Sequence, residues 1–247
     1  MNKVRITCLG SGDAFCSGGR RMSGYFIETP KSAMLLDCGP TVLEALRNLR
    51  LSAVSLDMVF LSHLHGDHYG GMPFLFLHYL YIEPRTRPLR ISGSPGTESR
   101  VRSLFELTYA DTAAEGLPFD LRFIEAIPGN AIETKDIKII PFSVPHQASP
   151  PSLGCEIIAG GRKIVYSGDS GWTDELPAHT QNADIFFCEC TFFESRNETH
   201  LDYPRIMENR RSFGAKRILL THLGQEILDH ASDVGLEMAH DGLVIDL

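Results

Sequence analysis

The sequence predicts an α+β chain in which two β-sheets pack on each other and helices cover their outer sides. Three observations carry this expectation. Short apolar runs rich in Val, Ile, Leu and Phe recur along the chain, helical segments interrupt them in both halves, and potential metal ligands stand repeatedly where such a run ends. Of the 247 residues, 43 % are hydrophobic and 22 % charged, which excludes a disordered chain, a collagen-like repeat and a long coiled coil. The net charge of −8 argues against a protein that grips long nucleic acid by bulk charge.

The elements follow in order. Residues 4–9 alternate as a strand and end in the turn Gly10-Ser-Gly-Asp13. Residues 23–28 and 33–37 form two short strands split by the Pro30-Lys31 turn. Thr41 is expected to cap a helix through about Leu49, with Leu43, Leu46 and Leu49 near one face. Residues 58–62 read as a buried strand, followed by a helix over 71–81, a short strand at 89–91 and a helix over 96–109. From 119 to 158 the chain is mostly strand, with further strands at 162–167 and 184–188. A helix over 203–213, a strand at 217–220, a helix near Gln225 and a strand at 243–246 complete the chain.

The most apolar run, residues 72–82, is broken by Pro73 and His78 and falls short of the roughly 20 residues a bilayer span requires. The N-terminus lacks the long apolar stretch of a signal peptide. Cysteines 8, 16, 38, 155, 188 and 190 lie in or beside strand-like runs and read as buried free thiols, so a cytoplasmic location is expected. The helix with Phe74, Phe76, Leu77 and Leu80 is assigned to the core or to the face of a homodimer rather than to a membrane.

The chemistry concentrates in Ser62-His63-Leu-His65-Gly-Asp67-His68, directly after an apolar strand. His63 and His65 are two apart, so on an extended segment they point the same way and can chelate one ion. Gly66 is expected to allow a tight turn that brings Asp67 and His68 towards a second ion. Imidazole and carboxylate suit Zn²⁺, and also accept Mn²⁺ or Fe. His146, Asp169 and His222 each follow a later apolar strand and would converge on the same sheet edge. A site for two divalent ions results, with His63, His65 and His146 on one, Asp67, His68 and His222 on the other, and Asp169 bridging.

The run His63-x-His65-x-Asp67-His68, followed by His146, Asp169 and His222, resembles the metallo-β-lactamase superfamily over nearly the whole chain. The resemblance implies an αββα sandwich, two mixed sheets flanked by helices, with the dinuclear site at one edge, and a single hydrolase domain over 1–247. Asp169 stands where the lactamase branch often has Cys, and His65 where the flavodiiron branch usually has an acid, so hydrolysis of a different bond is implied. Leu9-Gly-Ser-Gly-Asp-Ala14, Arg20-x-x-Ser-Gly-Tyr25, Ser152-Leu-Gly-Cys155, Glu189-Cys-Thr-Phe192 and Thr199-His200-Leu resemble the ribonuclease Z and cyclic-phosphodiesterase-like branch. There an extra histidine ahead of the last ligand assists phosphodiester cleavage, and His200 matches it.

Ribonuclease Z proper inserts a tRNA-clamping arm between the third and fourth metal motifs. Here Asp169 stands only 23 positions after His146, which leaves no room for that arm. The expected reaction is therefore hydrolysis of a small or cyclic phosphodiester by a hydroxide bound to two metals, with Asp67 and His200 as catalytic residues. The alternatives are lactone or thioester hydrolysis, or tRNA 3′-end processing without the arm. Glu189 is expected either to hold the His200 tautomer or to be a buried or helix-capping acid. Arg20 and Arg21 are assigned to a solvated loop or to a substrate phosphate, and Arg85, Arg87, Arg90, Arg100 and Arg102 to helix and loop surface. Cys188 and Cys190 read as packed apolar groups.

Overall fold

The computed structural model describes residues 3–247. Its strands are β1 (Arg5–Gly10), β2 (Gly24–Glu28), β3 (Ala33–Leu36), β4 (Met58–Phe60), β5 (Leu89–Gly93), β6 (Leu121–Glu125), β7 (Ile132–Thr134), β8 (Ile137–Ala148), β9 (Pro151–Ala159), β10 (Arg162–Tyr166), β11 (Ile185–Glu189), β12 (Ile218–Thr221), β13 (Glu237–Met238) and β14 (Val244–Asp246). Its α-helices are α1 (Val42–Asn48), α2 (Gly66–Tyr69), α3 (Met72–Tyr81), α4 (Thr97–Thr108), α5 (Ala110–Glu115), α6 (Leu176–His179), α7 (Tyr203–Glu208) and α8 (Gln225–Asp229).

The strands form two seven-stranded sheets, ordered β14-β1-β2-β3-β4-β5-β6 and β13-β12-β11-β10-β9-β8-β7. Each sheet is mixed. Pairing is antiparallel from β14 to β3 and parallel from β3 to β6 in the first, antiparallel from β7 to β10 and parallel from β10 to β13 in the second.

Alternation along the strands divides the core into three layers. Ile6, Ile27, Leu36 and Phe60 of the first sheet meet Leu153, Ile157, Ile164 and Phe187 of the second. The opposite face of the first sheet, with Phe26, Leu35, Val59 and Ile91, is covered by Leu46, Leu75, Phe76 and Val101 from α1, α3 and α4. The outer face of the second sheet, with Val165, Phe186 and Leu220, is covered by Leu176, Ile206 and Ile227 from α6, α7 and α8. Each such side chain stabilises the fold by about 1.5–3 kcal/mol when fully buried. The result is the expected αββα sandwich of two mixed sheets.

Local departures have identifiable causes. On α1 the buried face is Val42, Ala45 and Leu46, while Leu49 lies past the helix end and is exposed; the Thr41 hydroxyl accepts the Met22 N–H instead of capping the helix. The helix expected over 203–213 stops at Glu208, where the Asn209 amide donates to the Arg205 carbonyl. The short elements α5, β7 and β13 have too little periodicity to stand out in the sequence. Cys16 is not in a strand: it sits half-buried in a loop at φ 54°, whereas the other five cysteines are buried. Arg85 is not on the surface. Its guanidinium is buried and donates to the carbonyls of Val54, Leu56, Arg87 and Pro88, against the rings of Tyr79 and Phe119. Among the described residues, no helix is long and apolar enough to cross a membrane.

Candidate metal centre

The site lies at one edge of the sandwich, where loops leave the C-terminal ends of the parallel strands of both sheets. His63 and His65 follow β4, and Asp67 and His68 start α2. Gly66 opens that helix, and an added Cβ there would meet open space. The helical turn itself, not a glycine-specific conformation, swings Asp67 and His68 round. Asp169 follows β10 through Gly168, which is at φ +61° with Leu153 O only 2.5 Å from a would-be Cβ, so this position requires glycine. His146 does not follow a strand. It lies within β8, where the register with β9 shifts between Val144 and Ala148 and the bulge re-aims the side chain. His222 follows β12 at φ 51°.

The structure brings all seven residues together. Ligand-type atoms of His63, His65 and His146 lie within 4.8 Å of one another, and so do those of Asp67, His68, Asp169 and His222. Asp169 stands between the groups: its Oδ2 is 3.8 Å from His63 Nε2, 3.9 Å from His146 Nε2 and 3.3 Å from His222 Nε2, and its Oδ1 is 3.2 Å from His68 Nε2. His63 Nε2, His68 Nε2 and Asp169 Oδ1 are buried without a hydrogen-bond partner. Buried polar atoms are normally satisfied. Three orphans converging among imidazoles and carboxylates fit divalent cations.

The neutrality of His63 and the ionisation of the carboxylates fit as well. Burial, reinforced by His68, pushes His63 well below the ordinary histidine value, into its neutral, ligating form. Burial opposes charge on His222 too, yet Asp169 and Asp67 raise it to about 9. Burial would raise the Asp169 pKa, but His222 and His68 hold its carboxyl well below the usual carboxylate range. The carboxylates are therefore ionised and ready to bind metal.

Behind the cluster stands a residue the sequence reading missed. Asp37, fully buried after β3, accepts His68 Nδ1–H, the Ser62 hydroxyl and the Tyr166 hydroxyl, each at 2.8 Å, on Oδ2 and the Ser62 N–H at 2.7 Å on Oδ1. Ser62 Oγ in turn lies 3.1 Å from His63 Nδ1. This network presents Nε2 of both histidines to the centre. Its signal was available: Asp37 ends an apolar strand, the same setting that marks Asp169.

His200 borders the centre from the other side. Its ring stacks parallel to His222 at 5.6 Å and meets His146 edge-on at 4.6 Å. His200 Nδ1–H donates to Glu189 Oε1 at 2.9 Å, which leaves Nε2 as the free nitrogen. Burial works against its charge, but the Glu189 carboxylate raises its pKa above the ordinary value. Glu189 Oε2 also accepts the Thr191 hydroxyl, which accepts His222 Nδ1–H at 3.1 Å. The carbonyl of Thr199, beside His200, accepts His146 Nδ1–H at 2.8 Å.

Arg20 and Arg21 are bonded to neighbouring groups and not turned to the centre; Arg21 lies in a partly solvated surface pair, one of the two alternatives expected. Arg20 donates to Ser11 Oγ and the Ala239 carbonyl, and Arg21 to Glu44, with its N–H on Asp241. Cys188 and Cys190 are buried, and burial raises both thiols, so they pack as apolar groups.

This fold and donor set define a metallo-hydrolase of the metallo-β-lactamase superfamily, in its ribonuclease Z-like branch, whose members bind divalent metal. Within it, the family model described as Anti-Pycsar protein Apyc1 matches residues 4–240, and the chain belongs to that family. It is 26 % identical to the ribonuclease Z of Ignicoccus hospitalis, over 93 % of this chain and 91 % of that one. The crystal structure of the metallo-β-lactamase-fold protein YhfI from Bacillus subtilis superposes with a TM-score of 0.80 at 24 % identity, covering both chains fully. Human tRNase Z, short form, gives 0.77 at 25 % identity, covering 98 % of each chain.

Proposed function

We propose that this chain is a phosphodiesterase that hydrolyses small or cyclic phosphodiesters with two divalent ions, Zn²⁺ first among them. The observation that carries the reading is His200: a histidine bonded through Nδ1 to Glu189, within reach of the ligand cluster, yet additional to the seven ligands. The relatives named ribonuclease Z support scission of a phosphodiester. The stretch from His146 to Asp169 is taken up by the end of β8 and by β9 and β10, which supports a small substrate over a clamped tRNA.

His63, His65 and His146 would hold one ion, Asp67, His68 and His222 the other, and Asp169 both. When bound, the ions supply an activated water and positive charge for the phosphoryl oxygens. Asp67 orients the attacking water, and Asp37 fixes His68 from behind. As the bond between phosphorus and the leaving oxygen breaks, His200 gives its Nε2 proton to that oxygen, and Glu189 stabilises the charged ring beforehand. The six unpaired cysteines suit a reducing compartment, and we assign the protein to the cytoplasm.

Parallel turnover assays test the reading, with metal-loaded protein and bis-p-nitrophenyl phosphate, a homoserine lactone, a glutathione thioester and a precursor tRNA. The diester is expected to be cleaved and the others poorly or not at all. Preferential cleavage of the lactone or thioester would overturn it, and efficient maturation of the tRNA would show that another surface replaces the arm.

A further inference from the structure

We propose that Gly171 is a positioning residue for the acid His200: its bare backbone is the seat on which the His200 loop rests, and that seat sets where the imidazole stands against the metal ligands. The inference rests on the phosphodiesterase reading, because it assigns Gly171 to the proton-donating step of that reaction.

Two segments of backbone meet here. One is Asp169-Ser170-Gly171, which follows β10 and is buried. The other is the exposed stretch from Glu194 to Thr199 that leads into His200. A Cβ on Gly171 would lie 1.8 Å from the Glu198 carbonyl oxygen, 2.7 Å from its carbon and 3.2 Å from the Pro145 carbonyl oxygen. Backbone meets backbone, so no change of rotamer relieves the contact. Backbone conformation does not call for glycine at this position: Gly171 lies outside the left-handed region, unlike Gly168 at φ +61°. Close approach alone excludes the side chain.

The three residues of the buried segment each hold a different part of the site. Asp169 stands between the two groups of ligands. The Ser170 N–H donates to Glu189 Oε1 at 2.8 Å, the same oxygen that accepts His200 Nδ1–H at 2.9 Å. The Gly171 N–H donates to the Pro145 carbonyl at 2.7 Å, and its Cα bears Glu198. Beyond Glu198 the chain has no slack. The Thr199 carbonyl accepts His146 Nδ1–H at 2.8 Å, and the next residue is His200. Asn197 Oδ1 accepts the N–H and the hydroxyl of Thr199 at 2.7 and 2.8 Å, so residues 197–199 form a turn that moves as one piece. With a methyl group at position 171 the exposed turn has to retreat by about 1 Å or more to regain van der Waals distance, and His200 retreats with it. A displacement of that size at a reacting group costs up to about 10²-fold in rate.

The test compares metal-loaded wild type, Gly171→Ala, Asn197→Ala, His200→Ala and the Gly171→Ala, His200→Ala double variant. For each, kcat and KM on bis-p-nitrophenyl phosphate, metal content and amide hydrogen exchange over residues 194–201 are measured. Gly171→Ala is expected to keep its metal, to lower kcat by about thirtyfold with KM little changed, and to speed exchange in the loop by about tenfold. In the His200→Ala background the same substitution costs nothing further, because it acts through the missing imidazole. Asn197→Ala, at an exposed position that the sheets do not depend on, lowers kcat by about threefold. Losses that multiply in the double variant, metal lost together with activity, or an unchanged kcat in Gly171→Ala would overturn the role. So would a Gly171→Ala chain that fails to fold beside a fully active Asn197→Ala, since the buried segment and not the loop would then have given way. A wild type that cleaves no diester would overturn the phosphodiesterase reading instead; exchange in Gly171→Ala then decides the seat by itself, faster exchange sustaining it and unchanged exchange overturning it.

Discussion

The two sides of the metal centre are built differently. On the side of β3, β4 and α2, His63 and His68 are fully buried and are aligned by Asp37, Ser62 and Tyr166, all rooted in strand ends of the two packed sheets. On the opposite side, His200 hangs on a loop whose residues from Glu194 to Thr199 are exposed. That loop is held by individual anchors: Glu226 Oε1 accepts the N–H groups of Glu194 and Ser195 at 2.8 and 2.9 Å, and the Phe193 ring stacks between His230 and Tyr203. Under the proposed function, the difference would separate two tasks. Holding cations demands ligands that do not move, and the core supplies them. Acting on a variable substrate demands a group at a wet rim, and loops supply it.

Breaking the buried side is expected to have the largest effect. His68→Ala removes a ligand and leaves Asp37 and Asp169 facing each other across a gap, so metal and diester turnover fall together to background. Turnover is followed on bis-p-nitrophenyl phosphate and metal by elemental analysis. Next is the rim: His200→Ala lowers kcat by about 10²-fold, the usual contribution of one positioned acid. Full activity in that variant would make His200 a bystander and favour the lactone or thioester reading.

Asp37→Asn touches the ions only through His68, and is expected to weaken metal affinity by about 10- to 100-fold while excess metal restores turnover. A chelator titration of wild type and variant gives the comparison. The smallest effect is at the loop anchor. Glu226→Ala, which frees two backbone N–H groups, lowers kcat by about threefold, and Glu226→Gln, which keeps an acceptor oxygen, recovers it. A Glu226→Ala protein as slow as His200→Ala would show that the rim is as tightly specified as the buried wall.

Legibility in the sequence follows the same division. His63, His65, Asp67 and His68 fall within six consecutive positions, so their spacing alone displays the candidate chelate. His146, Asp169 and His222 lie far apart but share one local signature, a polar residue at or near the end of an apolar strand. Asp37 carries that signature too, and was missed because it binds a ligand rather than metal, and hydrogen-bond partners leave no spacing rule. His146 was misplaced at a strand end because a β-bulge has no composition of its own. The partners of Arg20 and Arg21 were not legible because Glu44, Ala239 and Asp241 are distant in the chain and meet them only after the sheets close. The sandwich itself was readable from strand order and the family resemblance, whereas two-residue and three-residue strands such as β13 and β7 are specified by their neighbours.

The central claim is that seven side chains hold two ions and that His200 is not among them. Elemental analysis of protein purified without chelator, beside the His68→Ala and His200→Ala variants, tests it most directly. The account predicts about two transition-metal ions per chain in the wild type and in His200→Ala, and a clear loss in His68→Ala. A wild-type value near zero that added Zn²⁺ or Mn²⁺ does not raise, or a His200→Ala protein that loses its metal, would contradict it.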